Sequence, residues 1–206
     1  MKTAGEQRIY LASRSPRRRE LLTQIGVHFD LMLFRGNVRE DAETDEDVLE
    51  GEAAQDYVRR VALAKVAHGV ALIAFRRLLP RLVLAADTTL EVDGRIIGKP
   101  VDQADAEAIL KQLSGRSHAV LTAVAVADGE RSEVVVSTSE VRFRNLTDDE
   151  IHRYVRTGEP MDKAGAYGIQ GHAAMFVAEI RGSHSGIVGL PLCETALLLR
   201  RFGYPI

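Results

Sequence analysis

The sequence predicts a mixed α/β fold. Apolar runs of strand length alternate with segments whose apolar residues recur at helical spacing. Asp-Gly pairs at 93–94 and 128–129 each lie between two strand-like runs, which predicts antiparallel hairpins because both positions tolerate a positive φ. The chain has 206 residues, of which 46% are hydrophobic. That is enough to bury the core of one large domain, so we expect residues 1–206 to form a single domain.

The first part of the chain is predicted to fold as strand, polar turn and helix. A strand covers residues 9–12, and the helix that follows begins at Pro16 and ends before Gly26, because proline favours the first helical position and glycine the end. A second strand is expected at 27–34. Residues 40–56 contain nine acidic and no basic side chains, which predicts an exposed loop that leads into a helix.

The remaining elements follow from the same signals. Pro80 ends a long helix, and Thr147 with Glu150 forms a capping box that starts a later one. The predicted helices are at 57–79, 102–113, 147–156 and 191–203, and the predicted strands are at 81–86, 90–92, 95–97, 119–127, 133–143 and 175–180.

Charge and cysteine content exclude several classes of partner. The 27 basic and 29 acidic residues give a net charge of −2, so no large basic surface is available for a nucleic-acid polymer. The single cysteine, Cys193, excludes an intrachain disulfide or a cysteine-rich zinc site and fits a reducing compartment. Because the sequence has neither a secretory signal nor ~18 consecutive apolar residues, we expect a cytoplasmic protein that does not enter a membrane.

The turn Ser-Arg-Ser-Pro-Arg-Arg at residues 13–18 is a candidate phosphate site. Free backbone amides at a helix start, hydroxyl groups and guanidinium groups all suit phosphate oxygens. A solvated basic first turn is the alternative interpretation. Arginine at a helix start opposes the helix dipole, which favours a nearby anion.

Asp87 and Thr88 follow an apolar run directly and are predicted to lie at the end of a strand, where open α/β sheets bind their ligands. An aspartate there can hold a divalent cation or accept a proton from water. It can equally well cap the following turn, and the spacing does not separate these alternatives.

Other segments give weaker signals. Lys99 places an ammonium group after the hairpin at 93–94, and the glycine-rich stretch 162–171 is more typical of an irregular loop than of a ligand cradle. The histidines lack metal-ligand spacing, so we interpret His118, His152, His172 and His184 as ordinary core or surface residues.

Taken together, these segments resemble the Maf family of nucleotide pyrophosphatases over about residues 9–203. The matching pieces are LASRSPRR at 11–18, ADT at 86–88, GKP at 98–100, LSG at 113–115, DKAGAYGIQG at 162–171 and VGLPL at 188–192. The resemblance implies an elongated central mixed sheet flanked by helices, with two lobes and a cleft, as in inosine triphosphate pyrophosphatases. It also implies a homodimer, a nucleoside triphosphate substrate and a divalent cation, Mg²⁺ or Mn²⁺.

The resemblance implies roles for individual residues. Asp87 matches the family's catalytic acid/base and, with a glutamate of the acidic loop, its metal ligands. That glutamate aligns with Glu46, with Asp45 or Glu50 as alternatives. The positions that match the family's phosphate-facing residues are Ser13, Arg17, Arg18, Lys65 and Lys99.

Three positions distinguish branches of the family, and here they are Arg18, Thr88 and Gln170. All three match the branch that acts on the pyrimidine nucleotides dTTP and UTP. A glutamine amide both donates and accepts, which suits the edge of a uracil or thymine ring. The alternatives are a pyrophosphatase for 7-methyl-GTP and a nucleotide-binding regulator of cell division or septum formation.

Overall fold

A computed structural model describes residues 7–33 and 46–206 of the chain. Its strands are β1 (Ile9–Leu11), β2 (Phe29–Leu31), β3 (Val83–Val92), β4 (Arg95–Ile97), β5 (Ser117–Ala127), β6 (Ser132–Phe143) and β7 (Val177–Arg181). In the described part they form one seven-stranded sheet in the order β2-β1-β3-β5-β6-β7, with β4 paired to β3. β1 is parallel to β2 and β3, and the other pairs are antiparallel. The prediction of a mixed α/β fold is confirmed.

Helices flank this sheet. They are α1 (Pro16–Gln24), α2 (Ala54–Phe75), α3 (Gln103–Leu113), α4 (Asp148–Val155), α5 (His184–Val188) and α6 (Leu192–Arg201), and 3-10 turns occupy Glu159–Asp162, Ala164–Ala166 and His172–Phe176. The predicted Pro16 start of α1 and the Thr147/Glu150 capping box of α4 are both present. Within the described ranges, none of the helices combines the length and the apolar character that crossing a membrane requires.

The sheet separates two apolar clusters because successive side chains of a strand point to opposite faces. Val83 and Ala85 of β3 pack with α2 on one face. Leu84 and Ala86 pack on the other face, with apolar residues of α1, α3, α4 and α6. Gly69 allows α2 to lie close to the sheet, since a Cβ there would lie 2.7 Å from Val83 Cγ1.

The structure corrects the predicted position of Asp87 and Thr88. The sequence suggested a strand that ends at residue 86, but β3 continues without a break from Val83 to Val92. It pairs with β5 over this length, from Val83↔Ala127 to Glu91↔Ala119. The two polar residues therefore lie in mid-strand, where both make side-chain hydrogen bonds. The prediction that they occupy a strand end was wrong.

Other boundaries differ by a few residues. Of the predicted strand 27–34, the described residues form only β2 as strand. Residues 34–45, which include Asp45 and the first part of the acidic stretch, lie outside the described residues. The long helix starts three residues earlier than expected, at Ala54, and ends at Phe75. α5 was not predicted, because its five residues include a glycine and carry little periodic signal.

His118 is a core histidine, as one of the two interpretations allowed. It is 3% exposed, and its Nε2 lies 2.8 Å from the hydroxyl of Tyr167. The ring makes edge-to-face contacts with Phe143 and Tyr167. Burial lowers the pKa of His118 to about 4, because the charged imidazolium loses its hydration.

This shifted pKa predicts a pH dependence of stability. As pH falls from about 6.5 to about 4, the unfolded chain takes up a proton that folded His118 does not, so stability is lost in this window. The free energy of unfolding of the wild type is therefore lower at pH 4.5 than at pH 7. In His118→Gln we expect this difference between the two pH values to be smaller by roughly 2 kcal/mol. Urea unfolding at the two pH values measures this difference.

The control is His184→Gln at an exposed position, which should retain the wild-type pH dependence. An unchanged pH dependence in His118→Gln would contradict the account of the buried ring.

Candidate active site

The site lies at an opening in one edge of β3. β1 runs beside the start of β3, and its last contact is the hydrogen bond from Ala12 N to Leu84 O at 2.8 Å. β4 pairs with β3 only from Leu90 onward. In the described chain, no strand covers the stretch between these two points on that edge, where Asp87 and Thr88 lie. The polar turn that follows β1 therefore begins beside the opening.

Asp87 belongs to a carboxylate cluster, which we define as Lys65, Asp87 and Glu46. Lys65 extends from α2, and its Nζ lies 2.8 Å from Asp87 Oδ1 and 2.6 Å from Glu46 Oε1. The side chains of Asp87 and Lys65 are only 9% and 13% exposed. One ammonium group therefore holds two carboxylates together on the α2 face of the sheet.

The segment that carries Glu46 is fixed to α2 by further contacts. The Tyr57 hydroxyl donates to the carbonyl oxygen of Glu46 at 3.0 Å. Burial, together with the charges of Asp87 and Glu46, raises the pKa of Tyr57 to about 12, so this hydroxyl remains a donor at neutral pH. Arg60 donates to the Asp47 carbonyl at 2.8 Å and forms an ion pair with Glu52 at 2.7 Å.

The structure describes two of the three acidic-loop carboxylates considered for the site. Glu46 contacts Lys65 directly. Glu50 is exposed in the turn that precedes α2, and Asp45 lies outside the described residues. Glu46 is therefore the acidic-loop carboxylate that the described structure places beside Asp87.

Thr88 belongs to a second group on the opposite face, the arginine cluster, which we define as Ser13, Arg18, Thr88 and Gly189. The guanidinium of Arg18 donates from Nη1 to Ser13 Oγ at 3.3 Å, from Nη2 to Thr88 Oγ1 at 3.2 Å and from Nε to Gly189 O at 2.8 Å. Burial lowers the pKa of Arg18 from its usual value, yet guanidinium groups stay charged in proteins. The cluster therefore holds a fixed positive charge at the turn.

The turn itself has the features of an anion site. Ser15 caps α1, since its Oγ accepts from Arg18 N at 3.4 Å, and Ser15 N donates to Ser13 Oγ at 3.2 Å. Arg17 lies near Asp162 and affects its pKa. Burial raises the pKa of the Asp162 carboxyl, but the hydrogen bond from Lys163 and the charges of Lys163 and Arg17 outweigh it, so the pKa lies below its usual value. The positive charge of the turn thus extends toward the 3-10 turn Glu159–Asp162.

Lys99 and Gln170 are both exposed. Lys99 follows β4, and the preceding Gly98 accepts at its carbonyl from Gly165 N at 2.9 Å. Among the described residues, no hydrogen bond or ion pair joins Lys99 to Ser13, Arg18 or Asp87. Gln170 lies in a turn closed by the hydrogen bond from Gly171 N to Gly168 O at 3.0 Å.

Glu159 fixes the glycine-rich loop and was missed by the sequence analysis. Its carboxylate accepts from the Tyr154 hydroxyl at 3.0 Å, from His172 N at 3.0 Å and from the His172 ring at 2.9 Å. A Cβ at Gly171 would lie 2.2 Å from Glu159 Oε1. Glycine at position 171 therefore lets the backbone lie close to this carboxylate without displacing it.

The carboxylate cluster fits a divalent cation such as Mg²⁺ or Mn²⁺. Mg²⁺ commonly binds through one or two carboxylates and completes its shell with substrate phosphates and water. Asp87 and Glu46 provide two carboxylates within reach of one ammonium group. The part of the chain that the structure describes has no group of three or more histidine, cysteine, aspartate or glutamate side chains arranged for a metal. An ion held by these two carboxylates would take its other ligands from water or from substrate phosphates.

Comparison with known proteins gives consistent matches. Residues 8–202 match the family described as Maf-like protein. The "dTTP/UTP pyrophosphatase" of Aromatoleum aromaticum is 63% identical over 98% of this chain and 98% of that protein. Proteins with the same name from Dechloromonas aromatica and Burkholderia orbicola are 59% and 57% identical, covering 96% and 93% of this chain and 98% and 91% of theirs.

A solved structure gives a more distant match. The Staphylococcus aureus Ham1 protein matches 66% of this chain and 72% of its own at 15% identity, with a TM-score of 0.44. This structural likeness is partial.

The ion pairs of Lys65 with Asp87 and Glu46 predict an effect on stability that can be measured without substrate. Lys65→Met leaves the Asp87 carboxylate, 9% exposed, without its cation, and losing one partner of a buried pair is costly. We expect the free energy of unfolding at pH 7.5 to fall by about 2–4 kcal/mol. Chemical denaturation of the wild type and the variant measures the change.

The control is the double variant Lys65→Met/Asp87→Asn. It leaves no buried charge unpaired, so it should be more stable than Lys65→Met alone. A single variant as stable as the wild type would contradict the role of this ion pair.

Proposed function

The chain belongs to the family of Maf-like proteins, and from that premise we propose that it is a nucleoside triphosphate pyrophosphatase that hydrolyses dTTP and UTP to the monophosphate and pyrophosphate. The observation that carries the proposal is that Asp87 and Thr88, neighbours in β3, bind Lys65 on one face and the Arg18 turn on the other. The proposed proton acceptor thus lies in β3 beside its opening, and the proposed phosphate-binding turn contacts β3 there, which supports the proposal. Relatives at 57–63% identity carry the same activity in their names.

In the proposed reaction, water attacks at the bridge between the α and β phosphates. The oxygen of water forms a new bond to phosphorus, the bridging P–O bond breaks, and pyrophosphate leaves. Asp87 accepts the proton of the attacking water as a general base. Its hydrogen bond to Lys65 fixes the orientation of the carboxylate, which supports this role.

The basic residues are proposed to bind the triphosphate. Arg18 is held by three acceptors, so its charge needs little reorganisation when phosphate binds. Ser13 and Arg17 belong to the same turn, and Lys65 and Lys99 offset charge on the leaving pyrophosphate. Because the protein does little covalent chemistry in phosphoryl transfer, such positioning and electrostatic stabilisation supply most of the rate.

We propose that Asp87 and Glu46 hold Mg²⁺ or Mn²⁺ together with phosphate oxygens of the substrate. When bound, the ion withdraws charge from the phosphates and orients the substrate. Tyr57 and Arg60 support this role of Glu46, because they hold its segment against α2.

Selectivity for pyrimidines is proposed to depend on Arg18, Thr88 and Gln170. The amide of Gln170, exposed within the glycine-rich loop, can donate to the carbonyls and accept from the N–H of uracil or thymine. Modified uridine triphosphates that retain these groups present the same edge, so removal of modified pyrimidine nucleotides from the pool is the proposed cellular role.

Further features of the protein are proposed on the same basis. We propose that residues 1–206 form one domain, and that the protein works in the cytoplasm as a homodimer. The single cysteine supports a reducing compartment. The dimer follows from the resemblance to the Maf family.

A substrate panel tests the function. Pyrophosphate release from UTP, dTTP, CTP, GTP and 7-methyl-GTP is measured with Mg²⁺ and then with Mn²⁺. We expect UTP and dTTP to have the highest kcat/KM. A preference for 7-methyl-GTP would contradict the proposed selectivity, and nucleotide binding without turnover would instead support a regulatory protein.

Asp87→Asn tests the proposed base. The amide cannot accept a proton in this way, so we expect kcat for UTP to fall at least ~100-fold while the circular dichroism spectrum is unchanged. Asp93→Asn is the matched control, because Asp93 is an exposed hairpin residue paired with Arg116, and it should retain activity. Near-normal turnover by Asp87→Asn would exclude Asp87 from the mechanism.

A further inference from the structure

A chain of hydrogen bonds leads from the arginine cluster into the core. Arg18 Nη2 donates to Thr88 Oγ1 at 3.2 Å, and Thr88 Oγ1 lies 3.0 Å from Thr122 Oγ1. Thr122 Oγ1 then donates to Gly186 O at 2.8 Å. Thr88 and Thr122 are direct partners in the pairing of β3 with β5, so their hydroxyls face each other on the same side of the sheet.

The chemistry of its ends fixes the direction of this chain. A guanidinium group only donates and a carbonyl oxygen only accepts, and each hydroxyl has a single hydrogen. Thr122 uses its hydrogen on Gly186 O, so Thr88 must be the donor between the two threonines. Oγ1 of Thr88 is then left to accept from Arg18. The orientation of the Thr88 hydroxyl is therefore set by Thr122.

Burial strengthens this constraint. Thr122 is 0% exposed, so water cannot replace its hydroxyl. The chain also closes on itself: Gly186 belongs to α5, and Gly189 at the end of α5 accepts from Arg18 Nε at 2.8 Å. Arg18 is thus connected to α5 both directly and through the two threonines.

We propose that Thr122 is a positioning residue for phosphate binding: it holds Thr88 as an acceptor and thereby aims the guanidinium of Arg18 at the triphosphate. This inference rests on the proposed function. Within the described residues, Thr122 makes no hydrogen bond to the turn at 13–18, and it acts through Thr88.

If the role of Thr122 were purely structural, removing its hydroxyl would affect folding rather than substrate binding. Gly186 O also accepts from Gly189 N at 2.9 Å, so removal of the Thr122 hydroxyl does not leave this carbonyl without a donor. The group that loses its partner is the Thr88 hydroxyl, whose hydrogen can then turn toward Arg18. The effect should therefore appear in substrate binding more than in folding.

The experiment compares Thr122→Val, which removes the hydroxyl at nearly constant volume, with Thr122→Ser, which retains it. We expect KM for UTP to rise about 10-fold in Thr122→Val, with kcat changed less than ~3-fold, because one oriented hydrogen bond to a charged group is weakened. Thr122→Ser should restore KM to within ~3-fold of the wild type, since the donor to Gly186 O remains.

A double-mutant cycle with Thr88→Val tests whether Thr122 acts through Thr88. If Thr122 acts through Thr88, the double variant should have the KM of Thr88→Val alone, because coupled residues are not additive. Binding of inorganic tripolyphosphate, measured by calorimetry, should follow the same pattern without any turnover.

The outcomes separate the two proposals. A wild-type protein that releases no pyrophosphate from UTP would overturn the proposed function. Wild-type turnover with an unchanged KM and tripolyphosphate affinity in Thr122→Val, or with additive effects in the cycle, would overturn only the role of Thr122.

Discussion

The rest of the site depends on the continuity of β3. Because successive side chains of a strand point to opposite faces, Asp87 and Thr88 belong to different polar clusters although they are adjacent. Asp87 meets Lys65 from α2, and Thr88 meets Arg18 from the turn after β1. β1 ends and β4 begins on one edge of β3, which leaves this pair beside an opening. A break in the strand at residue 86 would separate the two clusters.

Features encoded by local signals could be predicted from the sequence. The hairpin at Asp93 forms because its φ of 52° is tolerated by a short polar residue next to glycine. The capping box of α4 forms because both of its members lie within one turn. The mid-strand position of Asp87 could not be predicted, because a carboxylate there is tolerated only through its contact with Lys65, 22 residues away.

In the candidate site too, local signals could be predicted from the sequence, whereas contacts between distant residues could not. The turn at residues 13–18 was identified from its composition, and the structure brings Ser13 and Arg18 together with Thr88. The acceptor at Gly189 is 171 residues from Arg18, and no periodicity connects the two. Thr122 and Glu159 were missed for a related reason. One lies in an apolar strand and the other in a polar turn, and their importance follows only from partners distant in the sequence.

The central claim is that the carboxylate cluster and the arginine cluster bind one triphosphate between them. A crystal structure with Mg²⁺ and a UTP analogue whose α–β bridge is an imido group tests this most directly. The account predicts phosphate oxygens within hydrogen-bond distance of Arg18 and Ser13, with the α phosphate facing Asp87 across the opening of β3. An analogue bound at another surface, with Arg18 and Asp87 making no contact to it, would contradict the account.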